Sequence, residues 1–329
     1  MSKVSIGRVS SSDPLFTRLS PEITIQTTGG IALTKQKSVD ISNFPFTLNT
    51  GIGCLYKCPY CYLQSFPFNL HTDFGNEIKI KAWLPEQLDM ELEKWKDLPQ
   101  HLKRVQVNVA TEGYLPQAIH AMKAKHNRDL MKEVLEVFKK HWNDGNKWMV
   151  HLVTKSHMII NHFELITEMR DQVQIELTIT TLDETKARLL EGSAPSVKKR
   201  LEIIEKFAKN DVFVRAMCMP FIGSKTEADE VRQVLLDLGA KGFKHKAMNY
   251  WDEEKLLQGE VVRKQGKRDL IYYNLHLNSG EAVLDESGNE GTVTVSMPDS
   301  KWKEYSMKPM KVVTWGYSEM NDVDWKYIK

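Results

Sequence analysis

Residues 51–62 read Gly51-Ile-Gly-Cys-Leu-Tyr-Lys-Cys-Pro-Tyr-Cys-Tyr62 and contain three of the four cysteines in this 329-residue chain. Cys54, Cys58 and Cys61 are spaced C-x3-C-x2-C, and the glycines and proline around them favour a tight loop that aims three sulfurs at one point. Thiols this close in sequence are typical of metal ligands rather than of a disulfide scaffold. Three thiolates suit a four-iron cluster in which one iron has no protein ligand, whereas a closed structural site uses four ligands.

Two other interpretations of the cysteines stay open at this point. A structural zinc site needs a fourth ligand, and the nearby candidate is His71, ten residues beyond Cys61, which is not a usual zinc-finger spacing. The cysteines can also share a loop by chance. The corresponding protein would be a non-catalytic metal-binding module or a protein without a metal.

Composition and charge exclude several classes of protein. The chain carries 45 Lys and Arg residues against 43 Asp and Glu, a formal net charge of +2, which excludes a strongly polycationic nucleic-acid binder. No stretch approaches 18 apolar residues, and the N-terminal stretch MSKVSIGRVSSSDPLF lacks an apolar core. We therefore expect a cytoplasmic protein with reduced thiols, no secretion signal and no membrane partner.

Strand-like and helix-like segments alternate along most of the chain. Apolar and alternating runs predict six strands, at residues 44–48, 104–110, 148–153, 173–179, 212–219 and 242–248. Apolar residues at helical spacing predict helices at residues 85–96, 128–142, 163–169, 197–210 and 227–238. The alternation predicts an α/β fold, and six units are fewer than a closed eightfold barrel has. We therefore predict a partial (β/α)6 TIM-like barrel whose cysteine loop follows the first strand, where such folds place active sites.

The two ends of the chain depart from this alternation. Polar residues 1–40 read as an N-terminal extension, and the barrel covers residues 41–250. Residues 251–329 are predicted to form a small β-rich cap or substrate region, in which residues 282–295 (AVLDESGNEGTVTV) read as a hairpin. The cap contains no cysteine, so it cannot bind a second cysteine-ligated cluster.

The spacing C-x3-C-x2-C, with Tyr60 directly before the third cysteine, resembles the signature of the radical S-adenosylmethionine superfamily. The resemblance implies a 4Fe–4S cluster on the three cysteines, with S-adenosylmethionine bound at the open iron. It also implies that an electron from a flavodoxin- or ferredoxin-type reductant generates a 5′-deoxyadenosyl radical, which abstracts a substrate hydrogen. The cofactor carries such chemistry, and the protein supplies orientation and a dry pocket.

Further motifs resemble the spore photoproduct lyase-like (DNA repair photolyase-like) group of that superfamily. They are LTK at 33–35, FTLN at 46–49, LVTKS at 152–156, LTITT at 177–181 and LEGSAPS at 190–196. The likeness implies a set of residues that bind S-adenosylmethionine: Tyr60, Thr111, Glu112, Lys155, Thr178 and Glu191. The lysine would offset the cofactor carboxylate, and the carboxylate at 112 would meet its amino group. Each position also fits a structural role, namely a solvated lysine, a packing threonine or a solvated loop carboxylate.

One departure from the group concerns the hydrogen donor. Spore photoproduct lyase carries a hydrogen-donating cysteine near the end of its second strand, and the corresponding position here is Ala110. Cys218, on the predicted fifth strand, is the remaining thiol and a candidate hydrogen donor if it faces the barrel interior. The alternative is a buried small hydrophobe, the usual fate of an isolated cysteine.

The sequence leaves the substrate open between two classes. The group resemblance favours a nucleobase or nucleotide, and basic residues at 263–268, with Lys241, Lys244 and Lys246, are candidate phosphate contacts. Residues 241–311 nevertheless contain 12 basic and 11 acidic residues, which is not a basic face on average. The near-neutral charge and Ala110 favour a small metabolite or a peptide instead.

Overall fold

The structure is a computed structural model that describes residues 21–36, 44–61, 63, 75–221, 225–247, 273–275, 282–284 and 293–296. The predicted zinc ligand His71 and the basic run at 263–268 lie outside these residues, as do most of the predicted extension and cap. No helix in the described ranges is long and apolar enough to cross a membrane.

The described residues form thirteen strands, which are β1 (Glu22–Gln26), β2 (Thr34–Lys35), β3 (Phe46–Leu48), β4 (Gly51–Ile52), β5 (Glu77–Lys81), β6 (Arg104–Val107), β7 (Met149–Thr154), β8 (Val173–Thr178), β9 (Phe213–Phe221), β10 (Gly242–Ala247), β11 (Tyr273–Leu275), β12 (Ala282–Leu284) and β13 (Val293–Ser296). The α-helices among them are α1 (Leu84–Lys94), α2 (Pro116–His126), α3 (Leu130–Asn143), α4 (Phe163–Glu168), α5 (Glu184–Glu191), α6 (Val197–Ala208) and α7 (Lys225–Asp237). Asp129, Asp183 and Ser196 begin α3, α5 and α6, because each side chain accepts a hydrogen bond from an amide of the first turn.

Six parallel strands form the body of the main sheet, in the order β3-β6-β7-β8-β9-β10. The short strand β2 pairs antiparallel with β3 at one edge, and β13 pairs antiparallel with β10 at the other. Within the described residues the sheet has two edges and does not close on itself. The predicted partial (β/α)6 arrangement is therefore confirmed, with β2 joining the sheet from inside the predicted N-terminal extension.

The two faces of this sheet differ in chemistry. One face carries a row of side chains in register across five strands, each at most 1% exposed and all in the main apolar core: Leu48, Val107, Leu152, Ile175 and Val214. This is the face that the helices cover, and α6 packs on β8 and β9. The other face is polar, and there His151 and Arg215 both pair with the buried carboxylate of Glu176. The carboxyl ends of the strands therefore open onto a polar interior.

A second, three-stranded sheet leads into the cysteine loop. Its order is β1-β5-β4, with β1 parallel to β5 and β4 antiparallel to it. The alternating sequence of Glu77–Lys81 (EIKIK) is typical of such a half-buried strand, yet β1, β4 and β5 were not among the predicted strands. Helices α2 and α5 were also not predicted. Helix α2 has only a weak amphipathic pattern, which explains the first omission but not the second.

The predicted hairpin at 282–295 is wrong. β12 pairs antiparallel with β11, and β13 pairs with β10 of the main sheet. Both strands were predicted, as two runs around Ser-Gly-Asn, but their partners were not. The edge of β10 pairs with β13 over four residue pairs, whereas β12 has only three residues to offer.

Candidate active site

The cysteine loop is fastened to the end of β6. Gly53, which precedes Cys54, has φ of +87°, and a Cβ there would lie 2.5 Å from the carbonyl oxygen of Glu77, so glycine is required. Gly53 pairs with Thr111 as an isolated parallel bridge, and the Thr111 hydroxyl donates a 2.6 Å hydrogen bond to the Gly53 carbonyl. These contacts hold the loop at the carboxyl ends of the parallel strands.

The three thiols lie together in this loop. Cys58 is buried and the other two are half-buried, and the Cys61 amide donates a 3.0 Å hydrogen bond to the Cys58 carbonyl. Burial, together with the charge of Cys58, raises the pKa of Cys61 to about 12. Burial also raises the pKa values of Cys54 and Cys58. Such thiols become thiolates at neutral pH when a metal deprotonates them.

The thiol donor set fits a cluster with three protein ligands. Across the ranges that the structure describes, no group of three or more His, Cys, Asp or Glu side chains is placed to hold a single metal ion. The charges of Cys58 and Cys61 nevertheless raise the pKa of Cys54, because the three sulfurs share one neighbourhood. A four-iron cluster takes each cysteine on a different iron, so its ligands lie further apart than those of one zinc ion.

Lys155 extends from the end of β7 to the cysteine loop. Its Nζ lies 3.5 Å from Cys58 Sγ, 3.3 Å from Glu191 Oε1 and 4.4 Å from the ring centroid of Tyr60, whose hydroxyl it also contacts. Burial lowers the pKa of Lys155, but the charges of Cys58 and Glu191 raise it by more, so the net pKa is above its ordinary value. Lys155 therefore places a positive charge against the cysteine loop.

Glu191 ends helix α5 and connects Lys155 to Arg200, a residue that the sequence analysis missed. Its Oε2 accepts a hydrogen bond from Arg200, and its Oε1 accepts one from the Tyr60 hydroxyl at 3.2 Å. Burial raises the pKa of Glu191, but Lys155 and Arg200 lower it by more, and the carboxylate stays ionised. Arg200 also donates to the carbonyl oxygen of Thr178 at 2.7 Å, which ties this group to the end of β8.

A signal for Arg200 was present in its own helix. Val197, Ile203 and Ile204 are buried on α6, and Arg200 lies three residues after the first and three and four before the others. That spacing puts Arg200 on the apolar face of the helix. A guanidinium on such a face needs a buried partner, and Glu191 is the carboxylate closest before it in sequence.

Glu112 connects the ends of β6 and β7. Its Oε1 accepts hydrogen bonds from the Thr154 hydroxyl at 2.7 Å and the Tyr114 amide at 3.0 Å, and its Oε2 accepts one from the Lys155 amide at 2.8 Å. Burial raises the pKa of Glu112, although these donors oppose the shift. Its charge also raises the pKa of Cys54, so Glu112 lies beside the cysteine loop.

Thr178 and Ala110 belong to the same end of the sheet. Thr178 is buried at the end of β8, two residues beyond Glu176 and on the same face of the strand. The amide of Ala110 donates a 2.8 Å hydrogen bond to Asn49 Oδ1, next to Thr111. The predicted cofactor residues therefore gather around the strand ends that hold the cysteine loop.

Cys218 is separate from this group. It is fully buried on β9, where strand alternation puts it on the face of Val214 and Ala216, opposite to Arg215. Burial raises its pKa. This position is that of a packing residue under the helices, and the hydrogen-donor role stays an untested prediction.

A partial barrel with three thiols on the loop after its first parallel strand defines a class of enzymes that bind an iron–sulfur cluster at the mouth of the barrel. A family model described as the Radical SAM superfamily matches residues 48–238, more than half of the chain, and this chain belongs to that superfamily. The family implies an enzyme with an iron–sulfur cluster, S-adenosylmethionine and a reductant. This membership favours the catalytic interpretation of the three cysteines over the non-catalytic ones.

Several known proteins are similar to this chain. The uncharacterized protein ORF301 of Acidianus two-tailed virus is 26% identical over 201 residues, which cover 58% of this chain and 60% of ORF301. The uncharacterized protein MJ0683 of Methanocaldococcus jannaschii is 20% identical over 197 residues, 58% of this chain and 67% of that protein. Spore photoproduct lyase complexed with dinucleoside spore photoproduct has a similar fold, with a TM-score of 0.56 and 12% identity over 86% of this chain and 76% of that chain.

Proposed function

We propose that this protein uses a 4Fe–4S cluster bound by Cys54, Cys58 and Cys61 to carry out radical S-adenosylmethionine chemistry. The supporting observation is the gathering of three buried or half-buried thiols at the carboxyl ends of parallel strands, with Lys155 Nζ 3.5 Å from Cys58 Sγ. When bound, the cluster and S-adenosylmethionine supply a 5′-deoxyadenosyl radical that abstracts hydrogen from the substrate. A flavodoxin- or ferredoxin-type protein would supply the electron.

The chain's own residues would bind and orient the cofactor. The Lys155 ammonium would offset the carboxylate of S-adenosylmethionine. Three hydrogen bonds occupy three of the four lone-pair sites of Glu112, which leaves one on Oε2 for an ammonium donor. The Thr111 hydroxyl donates its hydrogen to the Gly53 carbonyl oxygen and can still accept a hydrogen bond from the cofactor. The hydroxyl of the buried Thr178 would add a further polar group. Tyr60 and Glu191 would hold the lysine in place.

A nucleobase or nucleotide is the substrate class that we favour. Helix α2 lies in the connection from β6 to α3, at the strand ends that hold the site. Residues 113–128 contain no Asp or Glu, and the exposed Lys123 and Lys125 form no ion pair with any residue that the structure describes. Unpaired lysines on the connection that leaves the site suit a phosphate backbone. The fold resemblance to spore photoproduct lyase points the same way.

A small metabolite or a peptide is the second candidate. The observation in its favour is Ala110, which offers no S–H group at the place where spore photoproduct lyase-like chemistry would return a hydrogen atom. Binding to DNA at low salt separates the two candidates, since a metabolite or peptide enzyme should show none.

Anaerobic reconstitution with iron and sulfide tests the proposal. We expect a brown protein with about four iron atoms per chain that produces 5′-deoxyadenosine from S-adenosylmethionine after reduction. Cys58→Ser should abolish both the colour and the product, whereas Cys218→Ser, outside the loop, should retain them. A cluster that never yields 5′-deoxyadenosine, or one zinc in a colourless chain, would contradict the proposal.

A further inference from the structure

Three paired side chains next to Cys58 together carry an excess of one positive charge, and the Glu112 carboxylate lies apart from them, beside Cys54. Glu191 is a carboxylate that pairs with two cations, Lys155 and Arg200, and the three side chains are 2%, 15% and 0% exposed. Glu191 neutralises one of the two cations, and the other charge remains. Lys155 brings that charge to Cys58 Sγ through the 3.5 Å contact of its Nζ.

The three side chains, called here the Lys155–Glu191–Arg200 array, are fixed in position from two sides. Arg200 is bound to Glu191 and to the carbonyl oxygen of Thr178, so helix α6 and strand β8 both locate its guanidinium. Glu191 in turn binds the Tyr60 hydroxyl, and its backbone carbonyl lies 3.5 Å from Cys58 Sγ. Buried charges of this kind interact strongly because little solvent screens them.

A cluster held by three thiolates is an anion, and reduction adds a further negative charge to it. Hydrogen bonds to the sulfurs and the net charge of the surroundings set the reduction potential of such a cluster. We infer that Arg200, acting through Glu191, is a positioning residue for the cluster, and that the positive excess of the Lys155–Glu191–Arg200 array favours the reduced cluster. This inference rests on the proposed function.

Charge-changing variants of the array test it through the sign of the shift. The reduction potential of the reconstituted cluster is measured by EPR-monitored titration without S-adenosylmethionine. Arg200→Gln and Lys155→Met remove a positive charge, so we expect about a tenfold lower ratio of reduced to oxidised cluster at a fixed potential, which equals about 59 mV for one electron. Glu191→Gln removes a negative charge and should shift the ratio in the opposite direction.

Two further variants separate charge from folding. The double variant Glu191→Gln/Arg200→Gln keeps the parent's net charge and should return close to the parent potential, even where Arg200→Gln alone folds poorly. Arg215→Gln removes a comparably buried guanidinium from its pair with Glu176, outside the trio of Lys155, Glu191 and Arg200, and serves as the matched control. Equal potentials in all variants, or shifts in one direction regardless of charge, would overturn the inference.

The result is distinguishable from failure of the proposed function. A chain that binds no iron–sulfur cluster, or one whose cluster never produces 5′-deoxyadenosine, contradicts the proposed function as well as this inference. A parent protein that produces 5′-deoxyadenosine, with array variants whose potentials do not change, contradicts the inference alone.

Discussion

The Thr111 hydroxyl donates a 2.6 Å hydrogen bond to the carbonyl oxygen of Gly53, the residue before the first cysteine of the loop. Together with the backbone bridge between the same two residues, this contact joins the segment after β6 to the cysteine loop. Thr111, which we expected to bind the cofactor, therefore also has a positioning role, because it fixes the backbone directly before Cys54.

Thr111→Val should loosen the cysteine loop without creating a cavity. The valine keeps the β-branched shape but removes the donor, and a lost hydrogen bond of this kind costs about 1 kcal/mol. We expect lower iron content per chain after reconstitution and a lower midpoint of unfolding. Thr111→Ser retains the hydroxyl and should restore both, and an iron content unaffected by the valine would show that the contact does not position the loop.

Gly192→Ala should disrupt the packing of the loop after α5 on the cysteine loop. Gly192 has φ of +56°, and a Cβ there would lie 2.2 Å from the carbonyl oxygen of Tyr56. Gly145 also has a positive φ, +86°, but a Cβ added there would have no other atom within 4 Å. Gly145→Ala should therefore cost about 1 kcal/mol of unfolding free energy from backbone strain alone, and Gly192→Ala clearly more. Urea unfolding of both variants measures the difference, and equal losses would contradict the steric argument.

The cysteine loop and the six parallel strands could be predicted because local patterns encode them. Three thiols in eight residues need no partner elsewhere to be recognised, and buried parallel strands are apolar runs bounded by polar turns. The partners of β13 could not be predicted in this way. Pairing depends on which sheet edge is free in three dimensions, and the residues of β12 and β13 carry no mark of it.

The charged part of the site was only partly predictable. Lys155 and Glu191 follow from the motifs LVTKS and LEGSAPS, but their contact with each other joins positions 36 residues apart in sequence. Arg200 carries no motif, and only its place on the buried face of α6 indicates a role. Cys218 illustrates the reverse case, since its residue type indicated chemistry while the alternation of β9 puts it under the helices.

Glu112→Gln should destabilise the protein. The carboxylate accepts three hydrogen bonds, two on Oε1 and one on Oε2, so either orientation of a glutamine amide directs its NH2 group at a donor. A buried mismatch of this kind costs about 1–3 kcal/mol of unfolding free energy. Glu136→Gln, on the exposed face of α3 beside Lys132, is the surface control and should change stability by less than about 0.5 kcal/mol. Comparable losses in the two variants would show that the three bonds contribute nothing specific.

Asp129→Asn should remove a pH-dependent part of the stability at acid pH. Burial raises the pKa of Asp129, but the hydrogen bond and charge of His162, at 3.0 Å, lower it by more. A carboxyl group with a lowered folded-state pKa stabilises the fold above its unfolded value of about 3.9, and that contribution is lost as pH falls through the folded pKa. The asparagine can still cap the Lys132 amide, so the helix start is matched.

The measurement for Asp129 is urea unfolding of parent and variant between about pH 5 and pH 3. Their stabilities should converge as the pH falls. In a His162→Phe background, the same substitution should give a difference that varies less with pH, because the donor is gone. A difference in unfolding free energy between parent and variant that stays constant down to pH 3 would contradict the role assigned to the Asp129–His162 pair.

Residues 113–128, which include helix α2 and contain no Asp or Glu, give a prediction that separates the two substrate classes. Lys123→Gln/Lys125→Gln removes two exposed lysines, and each phosphate contact contributes about 0.7–0.9 to the slope of log affinity against log salt concentration. We therefore expect weaker binding to DNA and a slope smaller by up to about 1.4–1.8. Lys139→Gln/Lys209→Gln is the matched control, because these two lysines already pair with Glu168 and Glu205. A slope that both double variants leave unchanged, or no DNA binding by the parent at low salt, favours a metabolite or peptide substrate.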